Sequence, residues 1–157
     1  PVLVVGNGDA GTPNNAFILY KNGDLEISGT LTQTSDARLK KNIRPLSEIL
    51  KKLGTVQPVY FEFKNTHLHP SGIHIGFLAQ DIEPVFPELV KKDSKGYLAV
   101  DYPAMIAVLM QALKEQQEII SGLQDEMEKL KKNNDELAAL KEELAEIKRM
   151  VGYTTQK

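Results

Sequence analysis

The stretch that decides the interpretation of this chain is the run Thr34-Ser35-Asp36-Ala37-Arg38-Leu39-Lys40-Lys41-Asn42-Ile43. It joins a Gly- and Asn-rich segment to a stretch with the composition of a globular domain, and it places a serine five residues before a lysine. A Ser–Lys pair can cut a peptide bond without histidine if the lysine is neutral enough to accept the serine proton. On an α-helix this spacing is about 140° of rotation and would separate the two side chains, so we predict that the run bends as a loop.

This run resembles the signature of the C-terminal intramolecular chaperone domain of phage tailspikes and endosialidases. The family pattern is Ser-Asp-x-Arg-Leu-Lys-x-Asn-Ile, and every fixed position is met. Two later blocks also resemble the family: residues 76–82 followed by 86–90, and residues 97–102 leading into a long helix. Three blocks in order are far more specific than one, and together the resemblance covers roughly residues 35–130.

The resemblance implies autoproteolysis. In the family the cut falls immediately before the motif serine, here the Thr34–Ser35 bond. Ser35 would be the nucleophile, and Lys40 would act as general base and then as general acid toward the leaving amine. Related autoprocessing domains occur in other phage fibres, in bacterial surface proteins and in a membrane-tethered eukaryotic transcription factor.

Charged neighbours bear on whether Lys40 can act as a base. A lysine in water holds its proton at neutral pH, so a lysine base must be desolvated or lie near other cations. Arg38 and Lys41 are close in sequence and would disfavour the protonated form. Asp36 would favour it if it paired with Lys40, so we give Asp36 a positioning role. The candidates for stabilising the oxyanion stay open: Asn42, Gln80 or a backbone N–H.

Composition limits the classes of protein that are possible. With 157 residues, one main domain plus appendages is expected. The absence of cysteine excludes disulfides and Cys-based metal sites. A net charge of −2 gives no reason to expect nucleic acid or an anionic membrane as partner, and no apolar run approaches membrane-spanning length. No cofactor is expected.

Residues 1–34 have the pattern of β-structure with turns. Asn22-Gly23 lies between two apolar runs and predicts a type I′ hairpin. The segment is too small to bury a core alone. It looks like the last rungs of a fibrous β-stalk, in which strands of several chains bury each other's apolar faces.

Residues 35–101 are predicted to form a small α+β domain. We expect a helix over 45–53 stopped by Gly54, strands over 58–63 and 72–78, and a helical turn over 81–86. Asp93 to Gly96 reads as a hairpin turn between two further short strands.

Residues 102–157 are predicted to be a helical coiled-coil segment, with Pro103 in the first turn. Apolar or adaptable residues recur in alternating steps of four and three, which is the spacing of a coiled-coil seam: Leu109, Leu113, Gln116, Ile120, Leu123, Met127, Leu130, Asn134 and Leu137. After an extra step of three the seam continues with Leu140, Leu144, Ile147 and Val151. This irregularity is either a stammer in one helix or a second helix starting near Asn133-Asn134, and of the two we predict the continuous helix. The family resemblance implies a homotrimer.

Three other patterns are weaker. Gly6 to Gly11 matches G-x-G-x-x-G, but Pro13 and its neighbours disfavour the helix that a dinucleotide site requires, so we interpret it as a turn. His67, His69 and His74 lie in a loop without an obvious fourth ligand, and no metal site is predicted. The basic stretch 38–52 lacks interleaved aromatic residues and does not indicate a nucleic-acid surface.

The resulting hypothesis is an α+β chaperone domain that trimerises and holds the strands of its own upstream β-stalk in register. It then releases itself from the stalk by autoproteolysis. The resemblance places it in a tail-fibre or spike precursor of a virion, folded in the host cytoplasm, or alternatively on a bacterial cell surface. A permanent trimeric cap without protease activity is the main alternative. A membrane-tethered regulator finds no support in this sequence.

Overall fold

The computed structural model describes residues 1–154, with side chains described as far as Gly152; the last residues of the predicted C-terminal segment, 155–157, lie outside the described part. The chain is an α+β protein, as predicted. Within 1–154 it has three small antiparallel sheets and three α-helices. The elements are β1 (Leu3–Gly6), β2 (Asn15–Leu19), β3 (Leu25–Ile27), α1 (Ile49–Leu53), β4 (Pro58–Phe61), β5 (His74–Phe77), α2 (Ala79–Ile82), β6 (Val90–Lys92), β7 (Leu98–Val100) and α3 (Tyr102–Thr154).

The N-terminal strands form a meander in the order β1-β2-β3, and the predicted hairpin joins β2 to β3. Its turn type was predicted wrongly. A type I′ turn needs φ above zero at both central residues, but Asn22 is not left-handed and only Gly23 is, with φ +87°. Hydrogen bonds from Gly23 N–H to the Tyr20 carbonyl (3.1 Å) and from Tyr20 N–H to the Asp24 carbonyl (2.9 Å) define a three-residue loop. This is a type I turn followed by a glycine bulge.

The glycine-rich run after β1 is a turn, as interpreted from the sequence. Asp9 Oδ1 accepts hydrogen bonds from Gly11 N–H (2.9 Å), Thr12 N–H (2.8 Å) and Thr12 Oγ1 (2.9 Å). These bonds, with the Thr12 hydroxyl foremost, lower the pKa of the Asp9 carboxyl. The chain then enters β2 and not a helix.

Helix α1 is shorter than predicted and begins at Ile49 instead of residue 45. Glu48 adopts a left-handed φ of 55°, which separates residues 45–47 from the helix. Glu115 in α3 then caps α1, because its carboxylate accepts the N–H groups of Leu50 (2.7 Å) and Ile49 (3.1 Å). The helix ends at Leu53 as expected.

Strands β4 and β5 pair antiparallel, from Pro58 opposite Phe77 to Phe61 opposite His74. The first residue of α3, Tyr102, lies against this pair. The phenol oxygen of Tyr102 accepts the N–H of Phe77 (3.2 Å), and its ring stacks on Phe77 with centroids 6.2 Å apart. Gly76 is required for this approach, because a Cβ there would lie 2.5 Å from the Tyr102 oxygen.

Strands β6 and β7 form the second predicted hairpin, with its turn at Asp93 to Gly96. Asp93 Oδ1 accepts the N–H groups of Lys95 (2.8 Å) and Tyr97 (2.9 Å), and Gly96 supplies the positive φ of +88°. The helical turn expected at 81–86 begins earlier, as α2 at Ala79, and continues through turn hydrogen bonds to Phe86.

The chain packs as two compact units, residues 1–46 with 52–105, and residues 47–51 with 106–157. The first unit buries Ile82, which has no exposed surface, and five other apolar side chains: Val56, Ala79, Phe86, Leu89 and Met105. Those of the second unit are Ile49, Val108 and Ala112.

Helix α3 is continuous through Asn133 and Asn134, so the prediction of a single helix is confirmed over the second-helix alternative. Its seam side chains are exposed in this single chain; Leu113 and Met127, for example, keep 65% and 71% of their surface. None of the helices in residues 1–154 is both long enough and apolar enough to cross a membrane.

We expect Gly76→Ala to destabilise the chain by about 1–3 kcal/mol, because the added methyl overlaps the Tyr102 phenol. Gly29→Ala is the matched control, since a Cβ there meets nothing within 4 Å. Urea unfolding measures both. Combining Gly76→Ala with Tyr102→Phe should cost less than the sum of the single changes; strict additivity would contradict the overlap.

The capping of α1 by Glu115 predicts a pH dependence. Hydrogen bonds from Leu50 and Ile49 N–H lower the pKa of the Glu115 carboxyl below its ordinary value of 4.5. Its stabilising contribution is therefore complete above about pH 4.5 and is lost as the pH falls through the lowered value. Glu115→Gln should lower the melting temperature at pH 7, with a difference from the parent that shrinks by pH 3. Glu118→Gln, which changes an exposed glutamate on the same helix, should show no such convergence.

Candidate functional site

The motif run bends through a single 3₁₀ turn, Ala37–Leu39, flanked by extended residues on both sides. Asp36 occupies the N-cap position, and its side chain accepts the N–H of Arg38 (2.8 Å). The turn closes with Leu39 N–H donating to the Asp36 carbonyl (3.1 Å) and Lys40 N–H to the Ala37 carbonyl (3.0 Å). An aspartate is a favoured N-cap because its short side chain reaches the free amides of the first turn. The predicted bend is confirmed.

The bend brings together the two residues expected to carry the chemistry. The Nζ of Lys40 donates a hydrogen bond to the Oγ of Ser35 at 2.7 Å. Both residues are exposed in the single chain. A protonated lysine donates to a serine hydroxyl, whereas a neutral one would accept its proton. The geometry is thus within reach of proton transfer once Lys40 loses its charge.

Asp36 does not pair with Lys40. Its carboxylate binds Arg38, with Nη2 2.7 Å from Oδ2 and Nε 3.1 Å from each oxygen. The Arg38 side chain, followed by its backbone N–H, holds the pKa of the Asp36 carboxyl below its ordinary value, and Asp36 in turn raises the pKa of Arg38. The sequence reasoning treated Arg38 only as a nearby cation and missed this pair. The sequence signal for this pair was an arginine two residues after an N-cap aspartate, because a tight turn at that spacing folds the arginine side chain back onto the carboxylate.

The other predicted supporting residues lie apart from Ser35. Asn42 follows the turn with a left-handed φ of 56°, a conformation that asparagine tolerates better than most residues. Gln80 lies on α2 and is exposed. Among the described residues, neither side chain forms a hydrogen bond to Ser35 or Lys40.

Two of the three histidines, His69 and His74, pack against aromatic rings, and His67 is held through its backbone N–H. His69 stacks on Phe63 with centroids 4.4 Å apart, and His74 lies 5.5 Å from Phe61 and 5.4 Å from Phe63. His67 N–H donates to Asn65. Within the part of the chain that the structure describes, no three His, Cys, Asp or Glu side chains are grouped as metal ligands would be.

Comparison with known proteins places this site in a family. The sequence model of a peptidase family described as "chaperone of endosialidase" matches residues 35–91, a segment that begins at Ser35. The chain is also similar to two phage proteins named long tail fiber protein Gp37. It is 34% identical over 113 residues to that of Enterobacteria phage K3, covering 64% of this chain. It is 33% identical over 106 residues to that of Enterobacteria phage T2, covering 60% of this chain.

The chain spans less than a tenth of the length of these relatives, 9% and 8% respectively. The family match contains the 3₁₀ turn, the Ser35–Lys40 hydrogen bond and Gln80. Residues 35–91 of this chain therefore match the sequence model of the chaperone-of-endosialidase family.

Proposed function

We propose that this chain is the intramolecular chaperone of a fibre or spike: it gathers three chains, holds an upstream β-stalk in register and cuts itself off between Thr34 and Ser35. The hydrogen bond from Lys40 Nζ to Ser35 Oγ, inside the segment that matches the family, carries the proposal. Its parts would be the stalk end (1–34), the autoprocessing domain (35–101) and the coiled-coil helix (102–157).

The proposed reaction is an acyl transfer in cis. Ser35 Oγ attacks the carbonyl carbon of Thr34 while neutral Lys40 takes the hydroxyl proton. The C–N bond then breaks, and Lys40 returns the proton to the departing amine of Ser35. This leaves an ester between the Thr34 acyl group and Ser35 Oγ. Water hydrolyses the ester, which frees a Thr34 carboxylate and a chain that begins with Ser35.

Stabilisation of the tetrahedral oxyanion requires a donor near the Thr34 carbonyl. The candidates are the Asn42 amide, the Gln80 amide and a backbone N–H. Asp36 acts as a positioning residue, since it caps the turn that joins Ser35 to Lys40.

Exposed apolar side chains support assembly into a trimer. Strand β1 leaves Leu3, Val4 and Val5 roughly half exposed. The seam of α3 is also open along its length, and the alternating steps of four and three suit burial between helices. Neighbouring chains would cover both surfaces at once, and the family resemblance gives the number as three.

The exposure of Ser35 and Lys40 suggests when the cut occurs. In water, lysine stays protonated and cannot accept the serine proton. Packing of neighbouring chains over the dyad would desolvate it, so cleavage would follow assembly. Register matters here because a one-residue slip inverts every side chain of a strand, and non-local strand pairing is slow. Removal of the template would leave the stalk kinetically stable.

The same exposure also favours a second candidate function, a permanent trimeric cap that never cleaves. A Lys40 buried beside Ser35 would favour the protease, whereas a Lys40 that extends into solvent would favour the permanent cap. The structure has Lys40 beside Ser35 but open to water, so the two candidates differ only in what assembly does to this pair. In either case the cargo is a fibre, whether a virion tail-fibre precursor folded in the host cytoplasm or a bacterial surface protein.

Intact mass after expression tests the reaction. We expect the parent chain to break between Thr34 and Ser35, and both Ser35→Ala and Lys40→Ala to stay whole, because each removes one partner of the proton transfer. Ser47→Ala and Lys52→Ala are matched controls outside the turn and should cleave like the parent. An unbroken parent that assembles as a trimer would favour the permanent cap.

Native mass measurement tests assembly. Met127→Asp puts a charge into the α3 seam and should shift the uncleaved Ser35→Ala protein from trimer toward monomer, because the carboxylate would be buried among apolar side chains. Ser121→Asp, off the seam on the same helix, should remain trimeric. In the Ser35-containing background, Met127→Asp should also reduce cleavage. Full cleavage by a monomer would contradict the coupling between assembly and reaction.

A further inference from the structure

A carboxylate next to a lysine base presents a problem for the proposed reaction. Asp36 follows Ser35 directly, and Lys40 Nζ is 2.7 Å from Ser35 Oγ. An ion pair between Asp36 and Lys40 would favour the ammonium form, which cannot accept the serine proton. The site therefore needs a means of keeping this carboxylate away from Lys40.

The geometry of Asp36 provides one. Three N–H groups of Arg38 donate to its two oxygens: the backbone N–H (2.8 Å), Nη2 (2.7 Å) and Nε, whose single hydrogen is shared between the two oxygens at 3.1 Å each. A carboxylate offers roughly four acceptor positions, so this one residue engages both oxygens and most of those positions. A fork of guanidinium donors also binds a carboxylate with a directionality that a lysine ammonium lacks.

We propose that Arg38 is a positioning residue that withholds the Asp36 carboxylate from Lys40 and so leaves Lys40 free to serve Ser35. The inference rests on the proposed autoproteolysis and adds to it a residue that touches neither reacting atom. The 3₁₀ turn makes it possible, since it folds Arg38 back onto Asp36 while Lys40 leaves the turn in an extended conformation toward Ser35.

The charged groups of this run are few. Asp36, Arg38 and Lys41 are the neighbours of Lys40 in sequence. Of the two ion pairs among the described residues, one is Asp36–Arg38 and the other, Lys91–Asp101, involves no residue of this run. Asp36 is the one carboxylate of the motif run 34–43, and in this proposal it is the partner that Lys40 gains when Arg38 is removed.

The test is the pH profile of cleavage for Arg38→Gln. Full-length chains are recovered unfolded, refolded at pH 5 to hold the lysine protonated, and shifted to buffers from pH 6 to pH 11, with the uncleaved fraction followed over time. At pH 7 we expect a rate about two- to five-fold below the parent, the size of effect that a solvent-exposed ion pair produces. The difference should narrow toward the alkaline end of the range, where a growing fraction of lysine is neutral in both proteins. The half-maximal rate thus moves to higher pH.

A second variant separates electrostatics from folding. Asp36→Asn with Arg38→Gln removes the carboxylate while keeping a capping side chain, and its half-maximal rate should return to the pH of the parent, whatever its absolute rate. Arg44→Gln is the matched control, an exposed arginine outside the described ion pairs, and should not change the profile.

The outcomes are distinct. A parent chain that stays whole at every pH defeats the proposed autoproteolysis itself. If the parent cleaves, an Arg38→Gln rate that is unchanged, or reduced equally at all pH values, overturns the role of Arg38. A double variant whose half-maximal rate stays at the higher pH of Arg38→Gln overturns it as well, because the shift would then not come from the Asp36 carboxylate.

Discussion

The main physical constraint on this structure is that a single chain can bury only a small part of its apolar surface. In the unit formed by residues 1–46 and 52–105, only six apolar side chains are buried, Ile82 most completely, while large apolar groups of β1 and the outer face of β4 and β5 stay in water. In the other unit the seam of α3 is similarly open. Burial of such surface is the main favourable term in folding and association, so this chain has more to gain from partners than from its own core. That constraint makes a chaperone which works by assembly physically reasonable.

The candidate reaction centre, by contrast, is held together by contacts within one short run of a single chain. One 3₁₀ turn aligns Ser35 with Lys40 and Asp36 with Arg38, and each pair lies within five residues along the chain. Contacts between residues close in sequence form early in folding, and they do not depend on whether the chains have assembled. What assembly can change is the water around Lys40, and with it the protonation state on which the proposed cut depends. A site built in this way would link an irreversible step to the burial of surface by neighbouring chains.

Sequence patterns predicted the elements best where local chemistry decides them. Gly96 and Asp93 specify their hairpin by turn residues, and the apolar repeat of α3 extends through Asn133-Asn134 as one helix. The prediction failed at residues 45–48, where the local pattern extends the helix but Glu115, more than sixty residues away, accepts the amides at Ile49. The hairpin at Asn22-Gly23 was placed correctly, but its turn type was wrong because a three-residue loop with a glycine bulge also suits that dipeptide.

The sequence by itself determined the α+β class, because this depends on the periodicity of the apolar residues. The pairing of Ser35 with Lys40 was implied by the family resemblance, and the bend was predicted because the pair could not meet on a helix. Only the tertiary structure decided that Gly76 makes room for Tyr102 and that Glu115 caps α1, since both bring together residues far apart in the chain. It also decided which cation Asp36 binds. Several cations lie within reach in the sequence, and only the fold of the turn selects Arg38 and leaves Lys40 to Ser35.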